Sequence, residues 1–228
     1  MTNEPYADVS EMYMAHTMFR REFGLLPGLI DGVSAADIGR ARVIAQHFSL
    51  IQTVLLHHHH AEDQALWPRL EQRAGRPGEV VVAAMESQHG EIDKIITDLR
   101  DGLETWQETA DRPQGAALAE SARHLVRVLA EHLTTEEEQA LPLIARFITA
   151  SEWGEMVATA AKAVPAEEIP LIFGLMTYEG APEAVAASIA QMPAEVQPVM
   201  SVLAREAFAR HSELVHGTAT PAKSRTRS

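Results

Sequence analysis

The fold is read most directly from the stretch Leu55-Leu56-His57-His58-His59-His60-Ala61-Glu62-Asp63-Gln64-Ala65-Leu66-Trp67-Pro68. A later stretch repeats part of it: Glu131-His132-Leu133-Thr134-Thr135-Glu136-Glu137-Glu138-Gln139-Ala140-Leu141-Pro142. When Pro68 is set on Pro142, an offset of 74 residues, His58 falls on His132 and Glu62 falls on Glu136. Each segment therefore carries His-x-x-x-Glu, which places an imidazole and a carboxylate one turn apart on the same face of a helix. Such a pair can bind one metal ion or two neighbouring ions.

An earlier histidine extends the repeat in each half. His16 lies 42 residues before His58, and His89 lies 43 residues before His132. The chain therefore carries a histidine followed by His-x-x-x-Glu, twice.

Four long helical patterns contain these residues. They run from about residue 9 to 31, from the capping sequence at 34–37 to about 67, from about 79 to 108 and from about 116 to 148. Short connections rich in Pro and Gly predict an all-α, up-down-up-down four-helix bundle. In that topology the starts of the first and third helices lie level with the ends of the second and fourth. We therefore expect six side chains to converge at one end of one core: His16, His58, Glu62, His89, His132 and Glu136.

Apolar residues share the inner face of each helix with these candidate ligands, at spacings of three and four residues. The expected inner faces are, in helix order, Met12, His16, Phe19 and Phe23; Ile44, His47, Ile51, Val54, His58 and Glu62; Val82, Met85, His89, Ile92, Ile96 and Leu99; and Leu125, Val128, His132 and Glu136. His47 and His124 are expected to be polar packing or surface residues rather than ligands.

Composition narrows the chemistry. The 228 residues are 46% hydrophobic, only 5% aromatic, and carry a formal net charge of −13, so a nucleic-acid partner is not expected. The sequence contains no cysteine, which excludes disulfides, thiolate metal sites and thiol catalysis. Any metal must bind through nitrogen and oxygen, which fits iron, manganese or zinc better than copper(I).

The ends of the sequence and its apolar runs bear on location and domains. The N-terminal sequence lacks the pattern of a signal peptide, and no apolar run approaches about 18 residues, so we expect no membrane contact and a cytoplasmic protein. We predict a bundle over residues 1–148, a helical C-terminal extension over 149–216 and a disordered tail over 217–228. The extension is expected to pack on the bundle or on a second subunit, and the latter would give a homo-oligomer.

Four imidazoles and two carboxylates are costly to bury in a core unless they bind a ligand. Two iron ions would satisfy them, each with two histidines, with Glu62 and Glu136 bridging the pair and with an oxo or hydroxo bridge. One open position on each ion would then remain for O2, peroxide or nitric oxide. This donor set suits non-haem iron chemistry.

The pattern resembles the hemerythrin-like family of HHE cation-binding domains over roughly residues 10–148. The matching positions are His16, His58 to Glu62 with Leu66-Trp67-Pro68, His89, and His132 to Glu136 with Leu141-Pro142. The resemblance implies a di-iron bundle that binds O2 or senses iron and oxygen, and some relatives process peroxide or nitric oxide. The end of the chain is similar to an extension of some actinobacterial members.

Two positions depart from the oxygen-carrying hemerythrins. Those proteins have a second histidine one turn after the third-helix histidine, where this chain has Asp93. They also have an aspartate five residues after the last-helix histidine, where this chain has Glu137. A more carboxylate-rich set of ligands favours slow oxidation or peroxide chemistry over simple reversible carriage of O2.

Several neighbouring residues stay open as ligands or as groups that orient an imidazole. Asp63 and Glu137 are the register alternatives to Glu62 and Glu136. The other candidates are Tyr13, His57, His59, His60, Glu86 and Asp93, with the three histidines expected mainly at the surface or behind the ligands.

The sequence is compatible with three functions. The leading prediction is a di-iron protein that binds O2 or a related ligand in oxygen or iron sensing or in the response to oxidative stress. The rivals are a di-iron enzyme that decomposes peroxide or oxidises a small substrate, and a helical interaction module without catalysis.

Overall fold

The structure is a computed structural model that describes residues 4–162 and 164–224. Within those ranges the chain forms α-helices and one π-helical turn, and Tyr6 and Thr149 form an isolated β-bridge. The helices are α1 (Ser10–Asp31), α2 (Ile38–Ala65), α3 (Trp67–Ala74), α4 (Arg76–Trp106), α5 (Arg112–Thr135), α6 (Leu141–Phe147), α7 (Ala150–Lys162), α8 (Ile169–Thr177), α9 (Pro182–Ala190) and α10 (Gln197–His216), and the π-helical turn is Glu136–Ala140.

Four of these helices build the bundle. Helix α1 packs on α2 and α5, and α4 packs on the same two neighbours, so that the four helices close a ring. Their consecutive order around the ring and their short connections give the up-down-up-down arrangement. The predicted all-α bundle with additional C-terminal helices is confirmed.

Two helices begin earlier than the sequence patterns predicted. The sequence patterns predict that α4 starts near residue 79 and α5 near residue 116, after the prolines at 77 and 113. The structure places Pro77 and Pro113 inside the first turn of their helices. Proline is tolerated there because the missing N–H has no partner in the helix. The break before α4 is confined to Gly75, which adopts a positive φ of 60° that favours glycine.

The two segments that carry His-x-x-x-Glu are interrupted just beyond their glutamates. Helix α2 ends at Ala65 and α3 begins at Trp67, whereas one continuous helix to about residue 67 was expected. Helix α5 passes into the π-helical turn, in which the N–H of Leu141 donates to the carbonyl of Glu136. A π-helical turn adds one residue to the helical repeat, and such turns are frequent at functional sites.

The predicted inner faces lie in the core. The α4 residues from Val82 to Leu99 on the expected stripe are all buried, as are Phe19 and Phe23 of α1. Val54 and Val128 are only half-buried and pack on the outside of the same cluster. The main cluster also takes in Leu175 and Phe208 from the extension.

The C-terminal extension packs on the bundle. Trp153 and Met156 of α7 belong to a second apolar cluster with Leu66, Trp67 and Leu70 near the end of α2. Helices α8 and α10 pack on each other, and they also contact α1 and α2 respectively. One of the two expected positions for the extension is therefore observed.

The described part of the C-terminal tail contacts the chain just after α8. The Tyr178 hydroxyl donates to the carbonyl of Pro221, and the Ser224 N–H donates to the Glu179 carboxylate. Pro221 and Ser224 are therefore hydrogen-bonded to the two residues that follow α8. Residues 225–228 lie outside the described part of the chain.

No helix in the described ranges is both long and apolar enough to cross a membrane.

Candidate metal centre

Three imidazoles meet between α2, α4 and α5. His59, His89 and His132 each offer a ring nitrogen to a group in which all ligand atoms lie within 4.8 Å of one another. The His59 ring stacks on the His89 ring at a centroid distance of 4.0 Å, and His132 lies edge-on to both. All three side chains are buried, so this part of the core is lined by imidazole nitrogens.

A second group adjoins the first, between α1, α2 and the π-helical turn. His16, His58 and Glu136 offer one ligand atom each within the same 4.8 Å limit. The Nε2 atom of His16 lies 3.2 Å from Oε2 of Glu136, and Nε2 of His132 lies 3.7 Å from the same oxygen. Glu136 therefore faces histidines of both groups.

Glu62 of α2, like Glu136, faces histidines of both groups. Its Oε1 atom lies 3.1 Å from Nε2 of His58, and its Oε2 atom lies 3.6 Å from Nε2 of His89. Each of its two oxygens thus points toward a different group. Glu62 and Glu136 are both fully buried and lie where bridging carboxylates would be required.

The polar atoms that face the centre lack ordinary partners. Within the described part of the chain, the Nε2 atoms of the five histidines and all four carboxylate oxygens of the two glutamates are buried without a hydrogen bond. Leaving that many polar atoms unpaired in a core is costly, and cations bound by these atoms would remove the cost. Neutral imidazole and carboxylate are donors that iron, manganese and zinc accept. The residues present therefore fit a pair of metal ions.

Three of the imidazoles are oriented by groups behind them. The Nδ1 atoms lie 2.9 Å from Glu137 for His16, 2.8 Å from Asp63 for His89 and 3.1 Å from Gln88 for His132. An acceptor at Nδ1 keeps the proton on that nitrogen and leaves the Nε2 lone pair directed at the centre.

Glu137 is itself held in place. Arg20 donates from both terminal nitrogens to its two carboxylate oxygens, at 2.6 and 3.0 Å. Glu137 and Asp63 thus contact the outer nitrogens of His16 and His89, whereas Glu136 and Glu62 face the centre.

Burial and neighbouring charges set the protonation of the cluster. Burial lowers the pKa of His58 to about 3 and that of His132 to about 4, and it lowers the pKa of His59 well below its usual range. Burial together with the nearby Glu136 carboxylate raises the pKa of Glu62 well above its usual range. Most of the imidazoles are therefore neutral at pH 7, which is the form that binds metal.

Glu136 and His16 differ from the other groups, because each stabilises the ionised form of the other. Burial opposes the ionised form of Glu136, but the His16 imidazole outweighs it and lowers the pKa of Glu136 to about 2. Burial likewise acts against a charged His16, yet Glu136 raises its pKa. In the absence of a cation the two form a buried ion pair, and a bound cation would replace the proton.

The structure brings together all six side chains expected at the centre, and it adds His59. We expected His59 at the surface or behind the ligands, but its exposed fraction is only 2%. Its place was hidden by the run of four histidines, because residue spacing alone does not show which neighbours face the core. One signal could have identified it. The third helix has Asp93 where the oxygen-carrying hemerythrins have a second histidine, so an imidazole from another helix could take that place.

The remaining candidates lie away from the cluster or at its edge. Tyr13, His60, Glu86 and Asp93 are exposed, and His57 is half-buried at the edge of α2. His60 lies 2.7 Å from the Gln64 side-chain nitrogen. Partial burial raises the pKa of Asp93, which remains outside both groups of ligand atoms.

The arrangement described above coincides with a known domain. The model of the hemerythrin HHE cation-binding domain matches residues 7–144, more than half of the chain. The chain belongs to the hemerythrin HHE family. The matched range of this hemerythrin HHE domain contains all seven side chains of the cluster and ends within α6. No curated protein and no solved structure matches the chain.

The geometry revises how this hemerythrin HHE domain departs from the oxygen carriers. The imidazole that the third helix lacks at Asp93 is supplied from α2 by His59. The carboxylate that faces the centre from the last helix is Glu136, and Glu137 binds the outer nitrogen of His16. The side chains that face the centre are thus five imidazoles and two carboxylates, one imidazole more than the sequence pattern predicts.

Proposed function

We propose that the bundle core binds two iron ions, linked by Glu62, Glu136 and an oxo or hydroxo bridge, and that this centre binds O2 or a related small ligand. The observation that carries the proposal is the convergence of seven side chains whose inward atoms are buried and make no hydrogen bond in the described ranges. A role in oxygen or iron sensing, or in the response to oxidative stress, is consistent with such a centre.

The two ions would have unequal protein ligands. One group supplies three imidazoles, from His59, His89 and His132, whereas the other supplies only those of His16 and His58. Both ions would share the two glutamates. The ion beside His16 and His58 therefore has one protein donor fewer and is the one that can accept an external ligand.

The exposed fractions of the side chains also favour the ion beside His16 and His58 as the one that accepts an external ligand. The His58 side chain has an exposed fraction of 12%, whereas the other side chains of the cluster are between 0 and 4% exposed. The cluster is thus nearly enclosed, and His58 is its most exposed member. Such a cluster suits O2, peroxide or nitric oxide and does not suit a bulky organic substrate.

Peroxide decomposition is the second candidate. Glu137, which is 13% exposed and is held by Arg20, binds the His16 imidazole, so a hydrogen-bonded path through this carboxylate links the cluster to the protein surface. Peroxide breakdown needs proton movement, which such a path can support. When iron is bound it supplies the redox step, while these residues orient His16 and can move a proton near Glu137.

Anaerobic loading with Fe²⁺ followed by exposure to O2, nitric oxide or peroxide tests the proposal. We expect iron uptake and new optical bands on addition of O2 or nitric oxide in the wild type, with loss of the bands in His58→Ala. The exposed neighbour variant His60→Ala is the matched control and should behave as the wild type. Bands that reverse when O2 is removed favour ligand binding, and rapid O2 release from peroxide favours the enzyme. Failure to take up iron would reject both.

A further inference from the structure

A second set of metal-binding side chains lies between the bundle and the C-terminal extension. Glu22 from α1, His47 from α2 and His216 from the end of α10 each offer one ligand atom to a group within 4.8 Å. His47 precedes His58 by 11 residues on α2, a separation of about 16 Å along the helix axis. The set is therefore distinct from the cluster in the bundle core.

The facing atoms of this set are buried and make no hydrogen bond among the residues described. The side chains of Glu22 and His47 are 0% exposed, and that of His216 is 6% exposed. Oε2 of Glu22 and the Nε2 atoms of both histidines have no hydrogen-bond partner among the residues described. A carboxylate oxygen and two imidazole nitrogens thus point at one another from three helices.

The outer atoms of two of these side chains are occupied. The Arg21 side chain donates to Oε1 of Glu22 at 2.7 Å, which leaves only Oε2 facing the two histidines. Nδ1 of His47 lies 3.0 Å from Nε2 of His211, which fixes the ring. Such outer contacts are the ones that orient metal ligands.

The distances match ligands around a cation better than a hydrogen bond. Nε2 of His47 and Nε2 of His216 each lie 3.4 Å from Oε2 of Glu22. A direct N–H···O bond prefers about 2.9 Å, whereas ligands bound tetrahedrally at the usual Zn–N and Zn–O lengths lie about 3.3–3.5 Å apart. Octahedral ligands at similar bond lengths would lie closer together, at about 3 Å.

We propose that Glu22, His47 and His216 form a separate site for one Zn²⁺ ion, or a divalent cation of the same preference, that joins the C-terminal extension to the bundle. Two histidines and one glutamate are an established zinc donor set. Ser212, one turn before His216 on α10, is buried with its hydroxyl unpaired in the described structure and is placed to hydrogen-bond a further ligand of the ion.

The site lies where the extension is already attached by charged contacts. Arg21 donates to the Leu175 carbonyl at 2.6 Å and to Glu179 at 2.9 Å, and Arg40 donates to the Leu214 carbonyl at 2.8 Å and to that of Val215. A cation bound to His216 would add a link from the last turn of α10 to α1 and α2. Its role would be structural, because the three ligands are almost fully enclosed.

The first test is the number of Zn²⁺ ions bound by the full-length protein. After removal of metal with a chelator, wild type, His216→Ala and the exposed control His124→Ala are dialysed against Zn²⁺ and analysed for metal. We expect His216→Ala to bind about one Zn²⁺ fewer than the wild type, and His124→Ala to match the wild type. This difference does not depend on how many ions the bundle core binds, so the result is independent of the proposed function. Equal binding by wild type and His216→Ala would overturn the proposal.

A second variant covers the case in which His216→Ala does not fold. Glu22→Gln keeps the size of the side chain and an oxygen for Arg21, and it should weaken this site at least tenfold while its circular dichroism matches the wild type. Co²⁺ reports the geometry, since the wild-type minus Glu22→Gln difference spectrum should show the intense visible bands of four-coordinate cobalt. The absence of a difference would reject the site.

Hydrogen exchange tests the link to the extension. Zn²⁺ at about ten times its Kd should slow amide exchange in α10 about tenfold in the wild type, because opening must first release the ion. The same concentration should leave exchange in α10 of Glu22→Gln unchanged. Equal protection in both proteins would contradict a Zn²⁺ link at Glu22.

Discussion

At the scale of single residues, His58 and His59 show that two consecutive residues of one helix can both face the centre. Successive side chains on a helix point about 100° apart, so at most some of His57 to His60 can face the core. His58 and His59 both do, since His58 belongs to the group with His16 and Glu136 and His59 belongs to the group with His89 and His132. The repeat predicts that His58 faces the core. Whether His59 also does depends on where α4 and α5 lie, and residue spacing along α2 does not determine that.

His59→Ala should remove one imidazole from the three-histidine group. We expect iron-loaded His59→Ala to retain about half of the wild-type iron or less, because the ion beside His89 and His132 loses a ligand. The protein should stay folded without metal, since the His59 ring nitrogens have no partners to lose in the described structure. Metal analysis and circular dichroism measure both effects. His60→Ala is the control, and undiminished iron in His59→Ala would show that this side chain is not a ligand.

The groups behind the imidazoles should tune the affinity without touching the ions. Asp63→Asn and Glu137→Gln each weaken the acceptor at a histidine Nδ1, and we expect iron affinity to fall about 10- to 100-fold for each. Competition with a chelator of known affinity gives the value. Glu86→Gln, on the exposed side of α4, is the control. If the two variants keep wild-type affinity, the contacts to His89 and His16 do not contribute to binding.

At the scale of helices, periodicity predicted the elements well and their junctions poorly. The stripes of α1, α2, α4 and α5 could be recognised because their apolar residues recur every three or four positions. The π-helical turn could not be recognised, since the Glu136–Ala140 sequence has no feature that separates it from an α-helix. The turn begins at Glu136, four residues after His132, and Glu136 lies at the centre while Glu137 lies against His16, an outcome that i, i+4 spacing alone does not distinguish.

Two glycines should respond oppositely to alanine at this scale. A Cβ at Gly174 of α8 would lie 2.3 Å from the Ala204 carbonyl oxygen of α10, whereas a Cβ at Gly154 of α7 would meet nothing within 4 Å. Gly174→Ala should therefore destabilise the protein by about 1–3 kcal/mol through overpacking. Gly154→Ala should stabilise it by about 0.5–1 kcal/mol, because alanine is the better helix residue. Urea unfolding measures both values, and a stable Gly174→Ala would show that α8 and α10 are not packed closely.

At the scale of the whole molecule, the buried titratable groups link stability to pH. Burial lowers the pKa of His58 to about 3 and the pKa values of His132 and His211 to about 4, whereas these histidines have pKa values near 6.5 when unfolded. The unfolded chain therefore takes up protons first as the pH falls. These groups stabilise the fold above pH 6.5, and their contribution is lost progressively between about pH 6.5 and pH 3. Glu62 acts in the opposite sense, since its pKa is raised and its contribution is lost as the pH rises above 4.5.

The histidines outnumber Glu62, so the metal-free protein should lose stability in acid. We expect its free energy of unfolding to be lower at pH 5 than at pH 7, measured by urea unfolding at constant ionic strength. The metal-loaded protein should release metal over the same range, because protons compete for the imidazoles. A metal-free protein that is as stable at pH 5 as at pH 7 would contradict the burial of neutral histidines.

The sequence pattern could not show how the C-terminal extension attaches to the bundle. The prolines of the extension predicted broken helices, and broken helices are observed, but its attachment depends on contacts between residues more than 150 positions apart, such as Arg21 with Leu175 and Glu179. His47 and His216 are separated even further along the chain than these. Long-range placement of this kind is decided by packing and not by local periodicity.

Anomalous diffraction at the iron edge from crystals of the iron-loaded protein is the measurement that addresses the bundle centre most directly. Two peaks are expected inside the ring of α1, α2, α4 and α5. One should be ligated by His59, His89 and His132, the other by His16 and His58, and Glu62 and Glu136 should contact both. A single peak, peaks only outside the bundle, or two peaks that His59 does not contact would contradict this account.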